Sequence, residues 1–126
     1  MKFRTPISKA RGLGSAKEGS HHWWTQRVTA IALIPLTLWF GIAIVMIPGA
    51  EYKQIVGWIS SPWNTVMLIS TIVAVFYHAI LGIQVVIEDY VHVEWMKLSA
   101  ILATKLILIF YALAALYATL RIIMVG

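Results

Sequence analysis

A single imidazole, His78, interrupts an otherwise uncharged apolar run, Val66–Ile87, and eleven residues later the chain reads Asp89-Tyr90. An ionisable side chain at membrane depth is costly, so it ordinarily faces protein, water or a cofactor. Eleven positions at roughly 100° each make about three turns, which puts His78 and Asp89 on one face of any helix that reaches both. Two chemistries are open to such an imidazole: ligation of a haem iron and a hydrogen bond across a helix interface. The face around it gathers Thr71, Ala74, Gly82 and Asp89, while Phe76, Ile80 and Val86 fall elsewhere. Small neighbours leave room for a flat macrocycle or for another helix. No other histidine lies within an apolar run, so the chain offers one axial ligand and a six-coordinate haem takes its second from another subunit.

Two flanking segments carry further polar chemistry. Glu88-Asp89-Tyr90-Val91-His92-Val93-Glu94-Trp95 reads as a loop whose phenol and imidazole can donate hydrogen bonds to a quinone carbonyl, and whose carboxylates can relay protons to it. For Glu88, His92 and Glu94 a solvated loop explains the composition as well. Tyr90 is amphipathic at the membrane surface, suited either to an acceptor arriving from the lipid or to an interfacial aromatic belt. The second segment is His21-His22-Trp23-Trp24-Thr25-Gln26-Arg27. Adjacent histidines on a helix point about 100° apart and do not chelate together. Arg27 can take a lipid phosphate or a cofactor carboxylate in bidentate fashion.

Three apolar spans position these groups: about Val28–Ile47, closed by Pro48-Gly49, then Val66–Ile87 and Ile101–Val125. Each has on the order of 20 residues, enough at 1.5 Å per residue to cross about 30 Å of hydrocarbon. Lys105 and Arg121 sit near the ends of the third span and can snorkel to headgroups. Pro35 and Gly41 in the first span are tolerable where neighbouring helices satisfy the freed carbonyl and use the glycine for close contact. The expected fold is an all-α membrane protein with a basic tail, residues 1–27, and one three-helix domain, residues 28–126. The intervening stretch Glu51–Trp63 reads as a short interfacial helix ended by Pro62.

Lysine and arginine set the orientation. Lys2, Arg4, Lys9, Arg11, Lys17, Arg27, Lys97 and Lys105 fall on the N-terminal side and only Lys53 and Arg121 on the other. This bias predicts an N-terminus in the cytoplasm or matrix. Trp23, Trp24, Trp58, Trp63 and Trp95 fall at span edges, as in an aromatic belt, whereas Trp39 is mid-span and reads as a lipid- or partner-facing anchor. The basic stretch Met1–Gly19 has some likeness to a transit peptide but reads better as a polar tail that stays on the side of synthesis.

Composition agrees. Of 126 residues, 60% are hydrophobic and 12% charged, with mean hydropathy +0.83, the profile of a membrane protein. There is no room for an additional soluble catalytic domain. Without cysteine the chain holds no iron–sulfur cluster and no thiol nucleophile. A formal charge of +5 is explained by the membrane flank, and no nucleic-acid partner is expected.

Taken in order, His21-x5-Arg27-Val28-Thr29-Ala30 and His78-Ala79-x2-Gly82-x-Gln84-Val85-x3-Asp89-Tyr90 resemble the small D-type membrane-anchor subunits of succinate dehydrogenase, over nearly the whole chain. The resemblance implies a four-subunit complex in a bacterial inner membrane, rather than a mitochondrial one. Its partners are a second, cytochrome b anchor, an iron–sulfur subunit and a flavoprotein, the last two holding the clusters and FAD. It implies a haem b shared between the anchors with His78 as this chain's axial iron ligand, and ubiquinone as substrate near Tyr90 and Asp89. His21 and Arg27 become candidates for the haem propionates or the border of the quinone site; His22 has no assigned role, because some relatives carry an acid there. The chain would have no activity alone. Alternatives are an anchor of fumarate reductase, with electron flow reversed, and a non-redox accessory subunit of a transporter in which His78 only bonds between helices. A channel is disfavoured because the first and third spans carry no polar stripe.

Overall fold

A computed structural model describes residues 14–126, with side chains from residue 19 onward. Of the tail's basic residues, Lys2, Arg4, Lys9 and Arg11 lie outside the described residues and Lys17 is described only in its backbone. Four helices follow: α1 Gly14–Met46, α2 Tyr52–Ser60, α3 Pro62–Tyr90 and α4 Glu94–Val125. Strands are absent among the described residues, and α1, α3 and α4 are each long and apolar enough to cross a membrane. The all-α, three-span architecture expected from the sequence is the one observed.

The helices outrun the spans. With 33, 29 and 32 residues, α1, α3 and α4 reach about 44–50 Å at 1.5 Å per residue, well beyond a hydrocarbon core of about 30 Å. α1 therefore already includes His21–Arg27, within the stretch read as tail. At the other junction the expected polar loop shrinks to Val91-His92-Val93. Glu88, Asp89 and Tyr90 form the last turn of α3, and Glu94 and Trp95 begin α4. The break falls where Val91 and Val93 adopt extended backbone, φ −100° and −80°, as suits β-branched residues. Charge was a poor guide to the boundary, because helix ends beyond the hydrocarbon accept it readily.

Between α1 and α2 the chain turns at Ile47-Pro48-Gly49-Ala50. Ala50 N donates to Ile47 O at 2.9 Å and Gly49 has φ +90°, a type II turn with proline and glycine at its two central positions. α2 is amphipathic, keeping Ile55, Val56, Trp58 and Ile59 half-buried while Tyr52, Lys53 and Gln54 are exposed. Gln54 Oε1 accepts from Glu51 N at 2.9 Å, satisfying an otherwise free donor at the helix start. The expectation of a short helix here holds, but Pro62 does more than end it. Proline is at home in the first turn of a helix, and Pro62 opens α3. Asn64 Nδ2 and Thr65 Oγ1 then donate to Trp58 O and Ile59 O at 3.0 and 2.6 Å, so α3 caps the last carbonyls of α2.

α3 is the central helix: it packs closely against α1 and against α4, and the backbones of α1 and α4 stay apart. Few side chains are consequently buried. Leu36 and Leu81 are the buried hydrophobics, with Thr71 and Thr119 the buried polar residues. Each threonine hydroxyl donates to its own helix, Thr71 to Met67 O at 2.7 Å and Thr119 to Ala115 O at 2.9 Å, so its burial leaves no donor unpaired and still allows close approach. Trp39 is not simply an outward anchor: it is half-buried and stacks on Trp58 of α2, centroids 5.5 Å apart and planes at 16°.

Candidate functional site

α1 and α3 run antiparallel, and their register is fixed by two approaches. Thr29 Oγ1 lies 3.0 Å from His78 Nδ1, and a turn farther along, Gly82 faces the Gln26 amide, whose Nε2 would stand 3.5 Å from a Cβ at that glycine. The His21–Arg27 segment and the α3–α4 turn thus occupy the same end of the molecule. Part of the small-residue face around His78 is accordingly used for helix contact. Ala74, by contrast, lines an open apolar groove of about 430 Å³ between α1 and α3, with Thr29, Leu36, Ser70, Val73 and Tyr77.

The two nitrogens of His78 differ. Nδ1 is engaged by Thr29, whereas Nε2 has no hydrogen bond among the described residues and is not sealed from the surface. The contact crosses helices, so the sequence-level alternative of an interhelical hydrogen bond is realised, but it uses one nitrogen only. A neutral imidazole has two inequivalent nitrogens, and the one left over is free to act as a ligand. Among the described residues no three histidine, aspartate or glutamate side chains gather as a metal site. A single open imidazole nitrogen is a donor of the kind that an axial position on a haem would require.

α3 continues unbroken from His78 through Tyr90, so His78 and Asp89 do share a face, about 16 Å apart along the axis. The acids at this end are not equivalent. Gln84 Nε2 donates to Glu88 Oε1 at 3.0 Å, and Lys97 Nζ lies 3.7 Å from Glu94 Oε2. Among the described residues Asp89 has neither hydrogen bond nor ion pair, and Tyr90, 79% exposed, donates to nothing.

On α1, His21 and Arg27 are both exposed. The Arg27 guanidinium lies over the Trp23 ring, 5.0 Å from its centroid, a cation–π contact. Two positions before Thr29, it lies about 160° around the helix from the residue that meets His78. The structure does not bring Arg27 and His78 together. Instead the α3-facing side of α1 carries His22, Gln26 and Thr29, and His22 Nε2 and Gln26 Oε1 are buried without a partner among the described residues. Thr29 and Gln26 had no sequence-level assignment. The spacing of His22, Gln26 and Thr29 at 0, 4 and 7 was a legible signal of one polar face.

Comparison with known proteins bears on the family of the chain. A sequence model of a family described as succinate dehydrogenase/fumarate reductase transmembrane subunit matches residues 1–119. A succinate dehydrogenase hydrophobic membrane anchor subunit of Rickettsia bellii is 40% identical over 104 residues, covering 82% of this chain and 83% of its own. The protein of the same name from Paracoccus denitrificans is 33% identical over 90 residues, 71% and 70% of the two chains. A succinate dehydrogenase membrane anchor subunit of Reclinomonas americana is 32% identical over 96 residues, 74% and 80% of the two chains.

Proposed function

Since the chain belongs to the succinate dehydrogenase/fumarate reductase transmembrane subunit family, we propose that it anchors a succinate:ubiquinone oxidoreductase in a bacterial inner membrane. In this reading it holds half of a haem b and part of a quinone site. The relatives' names favour succinate oxidation over the reverse direction. The charge bias puts the N-terminal end of α1 and the α3–α4 turn on the cytoplasmic face. There a flavoprotein and an iron–sulfur subunit dock, and they hold the FAD and the clusters.

The observation that carries the proposal is the asymmetry of His78: Nδ1 held within the chain, Nε2 open. His78 Nε2 would hold the haem iron, and the other, cytochrome b anchor would supply the second ligand. A b-type haem bound there supplies a one-electron centre and a cross-link between the anchors. The groove beside Thr29 and Tyr77 is the apolar surface available to the macrocycle or to the second anchor.

Tyr90 donates its phenolic proton in a hydrogen bond to a quinone carbonyl, where a preorganised donor stabilises charge that develops on oxygen. Asp89 is the neighbouring group that orients the headgroup or hands on a proton. Their freedom from partners among the described residues, unlike Glu88 and Glu94, supports their assignment. His21 and Arg27 take the haem propionates or border the quinone site. For Arg27 this requires the carboxylates to lie beyond the edge of α1, since its side chain leaves from the face turned away from His78.

The test is reduced-minus-oxidised spectroscopy of the purified complex. A b-type band is expected from the unsubstituted protein, with His78→Ala losing or shifting it. An unaltered band in His78→Ala removes the ligand assignment.

A further inference from the structure

We infer that Thr29 is a positioning residue for His78, accepting the Nδ1 proton and thereby fixing the imidazole in the form whose Nε2 lone pair faces outward. The inference rests on His78 being the iron ligand. Thr29 Oγ1 has three neighbours: Thr25 O at 2.9 Å, Gln26 O at 3.0 Å and His78 Nδ1 at 3.0 Å. A hydroxyl has one proton and two lone pairs, and both carbonyls are acceptors only. Were the proton aimed at Nδ1, the oxygen would set its lone pairs against two carbonyl oxygens at hydrogen-bond distance. The arrangement that satisfies all three contacts sends the hydroxyl proton to the α1 backbone and draws the Nδ1 proton onto Oγ1.

Threonine is suited to this. In a helix its χ1 is confined to rotamers that let Oγ1 bond the carbonyl three or four residues back, so the acceptor is in place before the imidazole meets it. The hydroxyl belongs to α1 and the ring to α3, 49 residues apart, so the orientation of the ring is tied to the packing of the two helices. A proton donated from Nδ1 raises the electron density at Nε2, as outer-shell partners of ligating histidines do. The more basic ligand favours the ferric state.

The four-subunit complex is purified with Thr29, Thr29→Ser, Thr29→Val and Thr29→Ala. Haem-to-flavin ratio, the ferric EPR signal and a redox titration of the b-type band are then compared. Thr29→Val keeps the volume and removes the acceptor. It is expected to raise the midpoint potential by up to a tenfold change in the reduction equilibrium, about 59 mV for one electron, and to weaken haem retention about tenfold. Thr29→Ser restores both. A Thr29→Val complex with unchanged potential and EPR signal overturns the inference. If Thr29→Val holds no haem at all, serine against alanine decides: retention with serine alone supports the role, and equal behaviour of the two overturns it. A wild-type complex without a b-type band refutes the parent assignment of His78 instead.

Discussion

At the end of the molecule that holds α2, polar groups satisfy one another. Gln54 caps the start of α2, Asn64 and Thr65 take its last carbonyls, and Trp39 stacks on Trp58. Tyr52 Oη donates to Gly126 O at 3.1 Å, tying α2 to the end of α4. At the end where α1 begins and α3 turns into α4, Gln84 and Lys97 engage Glu88 and Glu94, but other groups face outward or lack partners among the described residues. Among the described residues His22 Nε2 and Gln26 Oε1 are buried and unpaired, His78 Nε2 is open, and Asp89 and Tyr90 have no side-chain hydrogen bond. Buried polar atoms normally find partners. In the proposed function this second end is the one that partner molecules complete, while the α2 end serves the packing of the chain itself.

Substitutions can break that contrast. The largest functional effect after His78 is expected at the open end: Tyr90→Phe removes a hydrogen bond to developing charge, worth roughly 1.4 kcal/mol or tenfold in rate. Assembly and haem content should stay unchanged. Quinone reductase turnover equal to wild type would show that Tyr90 only lines the interface. At the closed end the effects are on stability alone. Gly49→Ala places a Cβ at φ +90°, costing about 1–2 kcal/mol. The complex should unfold at a lower temperature in detergent with normal turnover per intact complex, and a loss of quinone affinity would contradict the division between the ends. Smallest is Tyr52→Phe, which deletes one exposed bond. It should shift the unfolding midpoint by less than about 1 kcal/mol and leave the haem potential where it was.

Much of this was legible in the sequence because it depends on one helix at a time. Hydropathy delimits three spans, and a period of 3.6 puts His78 and Asp89 on one face whatever surrounds them. The resemblance rests on residues of the same kind. What could not be read concerns pairs of helices. That Thr29 meets His78, or that Trp39 meets Trp58, depends on the mutual rotation and register of helices. A pattern along one segment does not specify these. The α3–α4 junction was misread for another reason: Glu88, Asp89 and Glu94 look like a loop, but helices that overrun the hydrocarbon carry such residues in their final turns. Asp89 and Tyr90, expected at the quinone site from the resemblance, differ from their acidic neighbours in one structural respect, since Gln84 and Lys97 engage Glu88 and Glu94.

The central claim, that the open end is completed by redox partners, is tested most directly by isolating the affinity-tagged chain from its native membrane in mild detergent. The account predicts that it arrives with a flavin-bearing subunit, a cluster-bearing subunit and a second anchor, showing flavin, iron–sulfur and b-type haem signals in fixed ratio. A chain that purifies alone, or with transporter subunits and no redox chromophore, would contradict it.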